Sequence, residues 1–216
     1  MCIITVCNEK GGTGKSSIAQ SLSVYLVKQN KSVLLIDADP QKTTSDWASE
    51  RAESDLPKIP FVEMSGNMHE SLIQMDARFD YVVVDCGGAD SKAMRSTLAT
   101  ADIAIIPFRP KRRDLKIAPE MSEITETAQA LNSKLKIFSV ITQAPTNPNQ
   151  NYRIENAKSL LKQLGLNPLN NFTRNLNSWD DAEESGSSVL EYKDDKKAAD
   201  DATSIFVELF EVIKNG

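Results

Sequence analysis

The residues best suited to chemistry lie close to the start of the chain. The segment "CNEKGGTGKSS", Cys7 to Ser17, puts three glycines, two lysines and two serines on one short stretch. Gly14, Lys15 and Ser16 meet the end of the pattern G-x-x-x-x-G-K-[ST]. Glu9 stands where the first glycine of that pattern belongs, and Gly11 and Gly12 supply the flexibility two residues later. Glycines let a backbone turn successive N–H groups inward, and such a nest at a helix N-terminus holds an anion. Gly11, Gly12, Thr13, Gly14, Lys15, Ser16 and Ser17 are therefore the expected contacts of a phosphate chain. Lys15 is expected to neutralise the β- and γ-phosphates and the Ser16 hydroxyl to ligate Mg²⁺. The second lysine, Lys10, needs a different explanation. Two lysines converging on one triphosphate within one subunit would partly duplicate each other.

Three carboxylates join this set. Asp37 and Asp39 flank Ala38 just past the apolar run "SVLLID", and Asp85 ends the run "YVVVDC". Phosphoryl transfer to water needs a metal, positive clamps and a group that positions the nucleophile. Carboxylates at the ends of buried strands suit the first and last of these.

The elements that must position these residues are legible as alternating patterns. "CIITVC", "SVLLID", "YVVVDC", "DIAIIPF" and "KIFSVITQ" are short continuous apolar runs rich in Val and Ile. They are separated by stretches of helical spacing, as in "SSIAQSLSVYLVKQN" with Ile18, Leu22, Tyr25 and Leu26. This predicts parallel strands covered on both faces, a doubly wound α/β sheet. Asn8, Asp37, Asp85 and Gln143 all fall just past strand ends, and open parallel sheets bind ligands at that edge. "QAPTNPNQN" reads as an exposed loop. "NSWDDAEESGSS" reads as a short helix and a loop. The last predicted helix carries Ala198, Ala202, Ile205, Phe206, Leu209, Phe210 and Ile213 on one stripe that docks on the core.

With these residues in place, the chain resembles the deviant Walker A ATPases of the ParA/MinD family. The resemblance rests on K-G-G-T-G-K-S, on "LLIDADPQ" and on "FDYVVVDCGG", in that order, and covers essentially the whole chain. It is most similar to small plasmid-partition ParA proteins of the ParF kind, so one domain over residues 1–216 with no N-terminal DNA-binding extension is expected. The resemblance gives Lys10 a role in trans, reaching phosphates bound by the partner subunit of an ATP-dependent homodimer. It implies that Asp85 holds Mg²⁺ through a water, that Asp39 orients the attacking water, and that Asp37 supports the metal shell or the loop. The loops after Asp39 and after Asp85, with Gly87 and Gly88, become switch regions. It places the adenine near Thr142 and Gln143 and near Thr173, Arg174 and Asn175, where many relatives have Pro-Arg-Asn. It also places Pro107 and Pro110 near nucleotide and dimer interface.

Composition bounds the rest. The chain has 216 residues and a formal net charge of −5, so nucleic-acid binding must come from a local patch. "RPKRRDLK" concentrates Arg109, Lys111, Arg112, Arg113 and Lys116. Lys111, Arg112, Arg113 and, further on, Arg174 are the candidate contacts to nonspecific DNA. Cys2, Cys7 and Cys86 form no C-x-x-C pair and read as buried small hydrophobes of a reducing compartment. No run approaches the roughly 18 apolar residues of a membrane span. The resemblance then implies a cytoplasmic, nucleoid-associated ATPase for DNA partition, stimulated by a centromere-binding partner of the ParB or ParG kind. Three alternatives stay open: a membrane-positioning ATPase of the MinD kind, a factor that positions conjugation or carboxysome cargo, and a small-molecule kinase or synthetase. The tail "IFVELFEVIKNG" sets Glu208 and Glu211 against Lys214, a poor match for anionic lipid.

Overall fold

Strands enriched in β-branched residues and apolar at successive positions cannot leave either face in water. A computed structural model describes residues 2–76, 78–87 and 92–215. Its strands are β1 (Cys2–Asn8), β2 (Val33–Asp37), β3 (Phe61–Glu63), β4 (Tyr81–Gly87), β5 (Ile103–Phe108), β6 (Lys136–Ala144) and β7 (Pro168–Arg174). They pair in parallel as one sheet in the order β3-β2-β4-β1-β5-β6-β7. The helices are α1 (Lys15–Lys28), α2 (Thr43–Glu53), α3 (His69–Asp76), α4 (Lys92–Leu98), α5 (Ala118–Leu131), α6 (Asn151–Gln163), α7 (Ser178–Glu183) and α8 (Lys196–Asn215). The doubly wound α/β class expected from the sequence is the one observed.

The side chains of each strand alternate between two cores. Ile4 and Val6 of β1 face one core with α1, α2, α7 and α8; Ile3 and Cys7 face the other with α3, α4, α5 and α6. The chain runs from β1 toward β2 and β3, returns to β4 beside β1, and then continues on the far side through β5, β6 and β7. Strand order therefore reverses around β1, and the crevice at its carboxyl end is where such sheets take ligands. The register brings the candidate residues to that edge: Asp37 pairs with Asp85 and Asn8 with Gly87.

Two strands lack the continuous apolar run of the others. β3 has three residues at one edge, and β7, "PLNNFTR", is polar at the other. Tertiary bonds hold β7 in place. The Glu208 carboxylate accepts from the Asn170 and Asn171 backbone N–H groups at 2.6 and 2.7 Å, and Lys158 donates to the Asn170 carbonyl at 2.6 Å. Of the Pro/Asn-rich stretch expected to be an exposed loop, Gln143 and the buried Ala144 belong to β6 and Asn151 opens α6; Thr146 to Asn149 are exposed, and Pro148–Gln150 forms one 3₁₀ turn, with the Asn149 N–H donating to the Asn147 side chain. Gly88 lies outside the described residues.

The α8 stripe docks as expected. Ala198, Ala202, Ile205, Phe206 and Leu209 are buried, and Phe210 and Ile213 pack partly against the same core. The ring of Phe206 lies 5.3 Å from that of Tyr25, which stacks on Phe210 at 6.2 Å. Phe206 is fully buried, so truncation leaves a cavity as well as losing transfer energy. Phe206→Ala is expected to lower the unfolding free energy by about 3–5 kcal/mol, read by urea denaturation. A loss below about 1 kcal/mol would mean that α8 is only loosely held.

Candidate functional site

The phosphate-type loop is fixed by its own backbone. The Asn8 side chain donates to the Pro107 carbonyl at 2.8 Å and accepts from the Lys10 N–H at 2.8 Å. Gly12 and Gly14 have φ of 71° and 84°, a region that L side chains rarely adopt. Gly14 then caps α1, whose first residue is Lys15. Thr142 donates to the Thr13 carbonyl at 2.6 Å, and the Gln143 amide to the Gly12 carbonyl at 3.2 Å. Gln143 itself is held at φ 49°, a strained backbone of the kind found at ligand clamps. The two lysines differ in setting. The side chain of Lys15 is 7% exposed, with its ammonium 3.8 Å from Asp39 Oδ2. Lys10 is half-buried and bonded through its backbone, and its side chain makes no hydrogen bond or ion pair among the described residues.

The carboxylates divide sharply. Both oxygens of Asp37 are engaged: Oδ1 accepts from the Asp39 N–H at 3.0 Å, and Oδ2 from the Ser45 N–H and hydroxyl at 2.7 and 2.8 Å. Asp37 thus shapes the loop and secures the first turn of α2. Asp39 Oδ1 accepts from the Gln41 N–H at 2.9 Å, which aims Oδ2 at Lys15. Asp85 is fully buried; Oδ2 accepts from the Thr44 hydroxyl at 2.7 Å, while Oδ1 has no hydrogen-bond partner. Burial pushes the Asp85 carboxyl up from 3.8 to about 6, against the pull of the Thr44 and Ser16 hydroxyls and of Lys15. An orphaned buried carboxylate oxygen beside a serine hydroxyl is a donor set that fits a hard divalent cation.

On the other side of α1 lies a cavity of about 120 Å³, walled by Gly14, Ile18, Gln143, Asn175, Leu176 and Trp179. Thr142, Thr173 and Arg174 also line it. The Trp179 indole N–H and Glu183 Oε1 are buried without hydrogen-bond partners. Burial pushes the Glu183 carboxyl up from 4.5 to about 7, with the Ser17 hydroxyl pulling it down and Asp180 and Asp85 adding to the rise.

Residues 4–187 match the model of the CobQ/CobB/MinD/ParA nucleotide binding domain. The chain belongs to this family. It is 30% identical over 211 residues to the Maintenance of carboxysome distribution protein A of Halothiobacillus neapolitanus, across 95% of each chain. A putative plasmid partition protein of Borrelia burgdorferi bound to AMPPNP superposes with a TM-score of 0.70 at 19% identity, over 96% of this chain and 99% of that one. The septum site-determining protein MinD of Pyrococcus horikoshii, complexed with Mg-ADP, gives 0.73 at 15% identity, over 98% and 97%.

Most of the residues singled out from the ParA/MinD resemblance meet at one edge. The glycine loop, Lys10, Lys15, Ser16, Ser17, Asp37, Asp39 and Asp85 surround the start of α1, and Gln143, Arg174 and Asn175 wall the adjoining cavity. Pro110 does not join them. The chain turns away after β5, and Pro110 is buried in the wall of a separate groove with Lys111 and Arg112. Its neighbour Arg109 turns back instead, with a guanidinium nitrogen 3.8 Å from where a Cβ at Gly12 would stand. Arg174, read as both a base and a DNA contact, is held by Asp201 in a two-pronged pair at 2.7 and 3.0 Å, which neutralises its charge. Lys111, Arg112 and Arg113 are exposed. Cys7 and Cys86 are buried and Cys2 is half-buried, all three as free thiols, and burial pushes the Cys7 thiol far up, so it is unreactive. Sequence reasoning missed Thr44, Trp179 and Glu183. Thr44 follows the Asp-Pro-Gln segment closely enough to have been suspected; nothing in "NSWDDAEE" marks which side chains turn inward.

The Asp85 shift has a thermodynamic consequence. Between about pH 4 and pH 6 the native carboxyl keeps a proton that the unfolded chain releases, so stability falls as pH rises through that window. The full effect is about 3 kcal/mol. Asp85→Asn lacks this titration. Urea denaturation in EDTA is expected to show the variant gaining about 2 kcal/mol on the wild type from pH 4 to pH 7. A difference independent of pH would place the Asp85 carboxyl at its ordinary value.

Proposed function

We propose that the protein is a Mg²⁺- and ATP-dependent switch that dimerises on ATP, binds nonspecific DNA as a dimer, and hydrolyses ATP to let go. The contrast between the two lysines carries this reading. Lys15 is buried beside Asp39 inside its own glycine nest; Lys10, on the same turn, makes no side-chain hydrogen bond or ion pair among the described residues. A lysine with that freedom can cap a neighbour's triphosphate, which makes association depend on nucleotide and supplies charge where it develops in the transition state. Ser16 and Asp85 would hold Mg²⁺, which neutralises phosphate charge. Asp39, fixed by Gln41 and beside Lys15, is positioned to orient an attacking water. The nucleotide complexes of the plasmid-partition and MinD structures support ATP as the ligand.

The cargo is read as DNA carried by a ParB- or ParG-like centromere-binding partner. The carboxysome-distribution relative, similar over 95% of its length, favours a second reading in which the cargo is a protein compartment moved by the same cycle. The structure weighs against a MinD-like membrane contact. The apolar stripe of α8 is spent on the core and its Glu208 on β7.

Lys10→Ala is expected to bind ATP with nearly wild-type affinity, since Lys15 and the nest remain, and to lose the dimer formed with a nonhydrolysable ATP analogue. Lys15→Ala is expected to lose ATP binding itself. Calorimetry and light scattering read the two steps separately. Normal dimerisation of Lys10→Ala would remove the principal support for the switch.

For DNA, replacing Lys111, Arg112 and Arg113 by Ala is expected to weaken ATP-dependent duplex binding. Each lost phosphate contact lowers the slope of log affinity against log salt by roughly 0.9. An unchanged slope would direct the search for the DNA face elsewhere on the dimer.

A further inference from the structure

The turn after β5 and the start of α6 enclose a groove of about 640 Å³ that the nucleotide site does not use. Its volume falls within the roughly 300–1,000 Å³ of ligand-binding clefts. Lys111, Arg112 and Lys116 from the turn and Arg153 from α6 stand around it, and among the described residues no carboxylate lines it. Asp114, the one acid in that run, is buried and holds Arg109 at 2.9 Å instead. The floor is of another kind: Leu115, Ala157 and Leu160, with Tyr152 beside them 57% exposed. The turn is preorganised by backbone bonds from Lys111 to Arg109 at 2.8 Å and from Asp114 and Leu115 to Lys111 at 2.9 and 3.0 Å. An occupant therefore does not have to order the rim cations' backbone on binding.

We propose that this groove docks an acidic, amphipathic segment of a partner protein, with its carboxylates against the four cations and its aliphatic or aromatic side chains in the apolar floor. Charge complementarity decides the sign. A cluster of cations without a carboxylate, in a chain of net charge −5, is a local exception that an acidic segment fits. The floor decides between peptide and nucleic acid. Phosphates need no apolar pocket, and a duplex is too wide to enter one. The Arg153 guanidinium lies 5.9 Å from the Tyr152 ring centre, which leaves one ring face fewer for base stacking. A peptide, by contrast, anchors by inserting a few apolar side chains between charged flanks. Lys111 and Arg112 are also the proposed DNA contacts, so such a segment would compete with DNA for the same turn. The docking itself does not rest on DNA binding.

A displayed library of random twelve-residue peptides, panned on the wild-type protein, tests the proposal. Enriched sequences are expected to combine Asp or Glu with Leu, Ile or Phe. A fluorescein-labelled consensus peptide is expected to bind Lys116→Ala/Arg153→Ala, and separately Leu160→Ser, at least tenfold more weakly than wild type. ATP affinity, measured on the same samples, reports that the variants are folded. Loss of ATP affinity in the wild type would sink the switch reading and leave the peptide result standing. Enriched peptides without carboxylates, binding that both variants leave unchanged, or no enrichment at all would overturn the docking site. No enrichment together with lost duplex affinity in Lys116→Ala/Arg153→Ala would assign the face to nucleic acid.

Discussion

A Cβ at position 87 would stand 1.7 Å from Asp39 Oδ2 and 2.9 Å from Lys15 Cε. The space a side chain would fill at Gly87 is taken by the carboxylate and the lysine stem, and the arrangement of the sheet edge follows from that close approach. Asp39 reaches it because Asp37 holds the Asp39 N–H, and Asp37 in turn holds Ser45. The next residue back, Thr44, bonds Asp85 and accepts from Gln20 of α1 at 3.3 Å. One contiguous polar network thus runs from α1 through α2 to β4, and it closes because β4 ends in a residue with no side chain.

That network is under-satisfied in a patterned way. Most buried polar groups in folded proteins have a partner. Ser139 Oγ in β6 has none, and neither have Gln20 Oε1, Asp85 Oδ1, Glu183 Oε1 and the Trp179 indole N–H, the last four of which belong to α1 or to residues beside its first turns. The raised Asp85 and Glu183 carboxyls are the electrostatic face of the same fact. A fold that leaves acceptors unpaired around one helix N-terminus spends stability there, and a ligand bearing cations or donors returns it on binding.

The chain announced the sheet through its period. Uninterrupted Val/Ile runs ending in Asn8, Asp37 and Asp85 mark buried parallel strands and the edge where they finish, and the register sets Asp37 beside Asp85 and Asn8 beside Gly87. The glycine loop was legible for the same local reason, since backbone conformation and charge are both written in K-G-G-T-G-K-S. What escaped depends on contacts between distant segments. β7 is a strand because Glu208, 37 residues on from Asn171, supplies carboxylate acceptors to its backbone. Trp179 and Glu183 turn toward α1 because of how α7 docks, which no spacing encodes. Pro110 was assigned to the nucleotide from the family resemblance, yet the Arg109–Asp114 pair folds that segment so that the arginine faces the loop and the proline faces the groove.

The two sides of the site are fastened to a single helix. At its start α2 carries Thr44 and Ser45, the partners of Asp85 and Asp37. Near its end Arg51, 1% exposed, grips Glu191 with two bonds at 2.8 Å, donates to the Gly186 carbonyl at 3.0 Å and lies over the Trp47 ring at 5.2 Å. Gly186 is obligatory for this contact: its φ is 63°, and a Cβ there would come within 2.3 Å of the Arg51 backbone nitrogen. Removing one partner of a buried, hydrogen-bonded ion pair leaves an uncompensated charge and costs several kcal/mol, roughly 3–5. The clamp is therefore costly to break on the scale of the whole fold's stability. Through it α2 joins the carboxylates Asp37 and Asp85 to the segment that follows α7, the helix that carries Trp179 and Glu183. A displacement of the loop around Asp39 would shift the first turn of α2, and the helix, being rigid, would carry that shift to the wall of the neighbouring cavity.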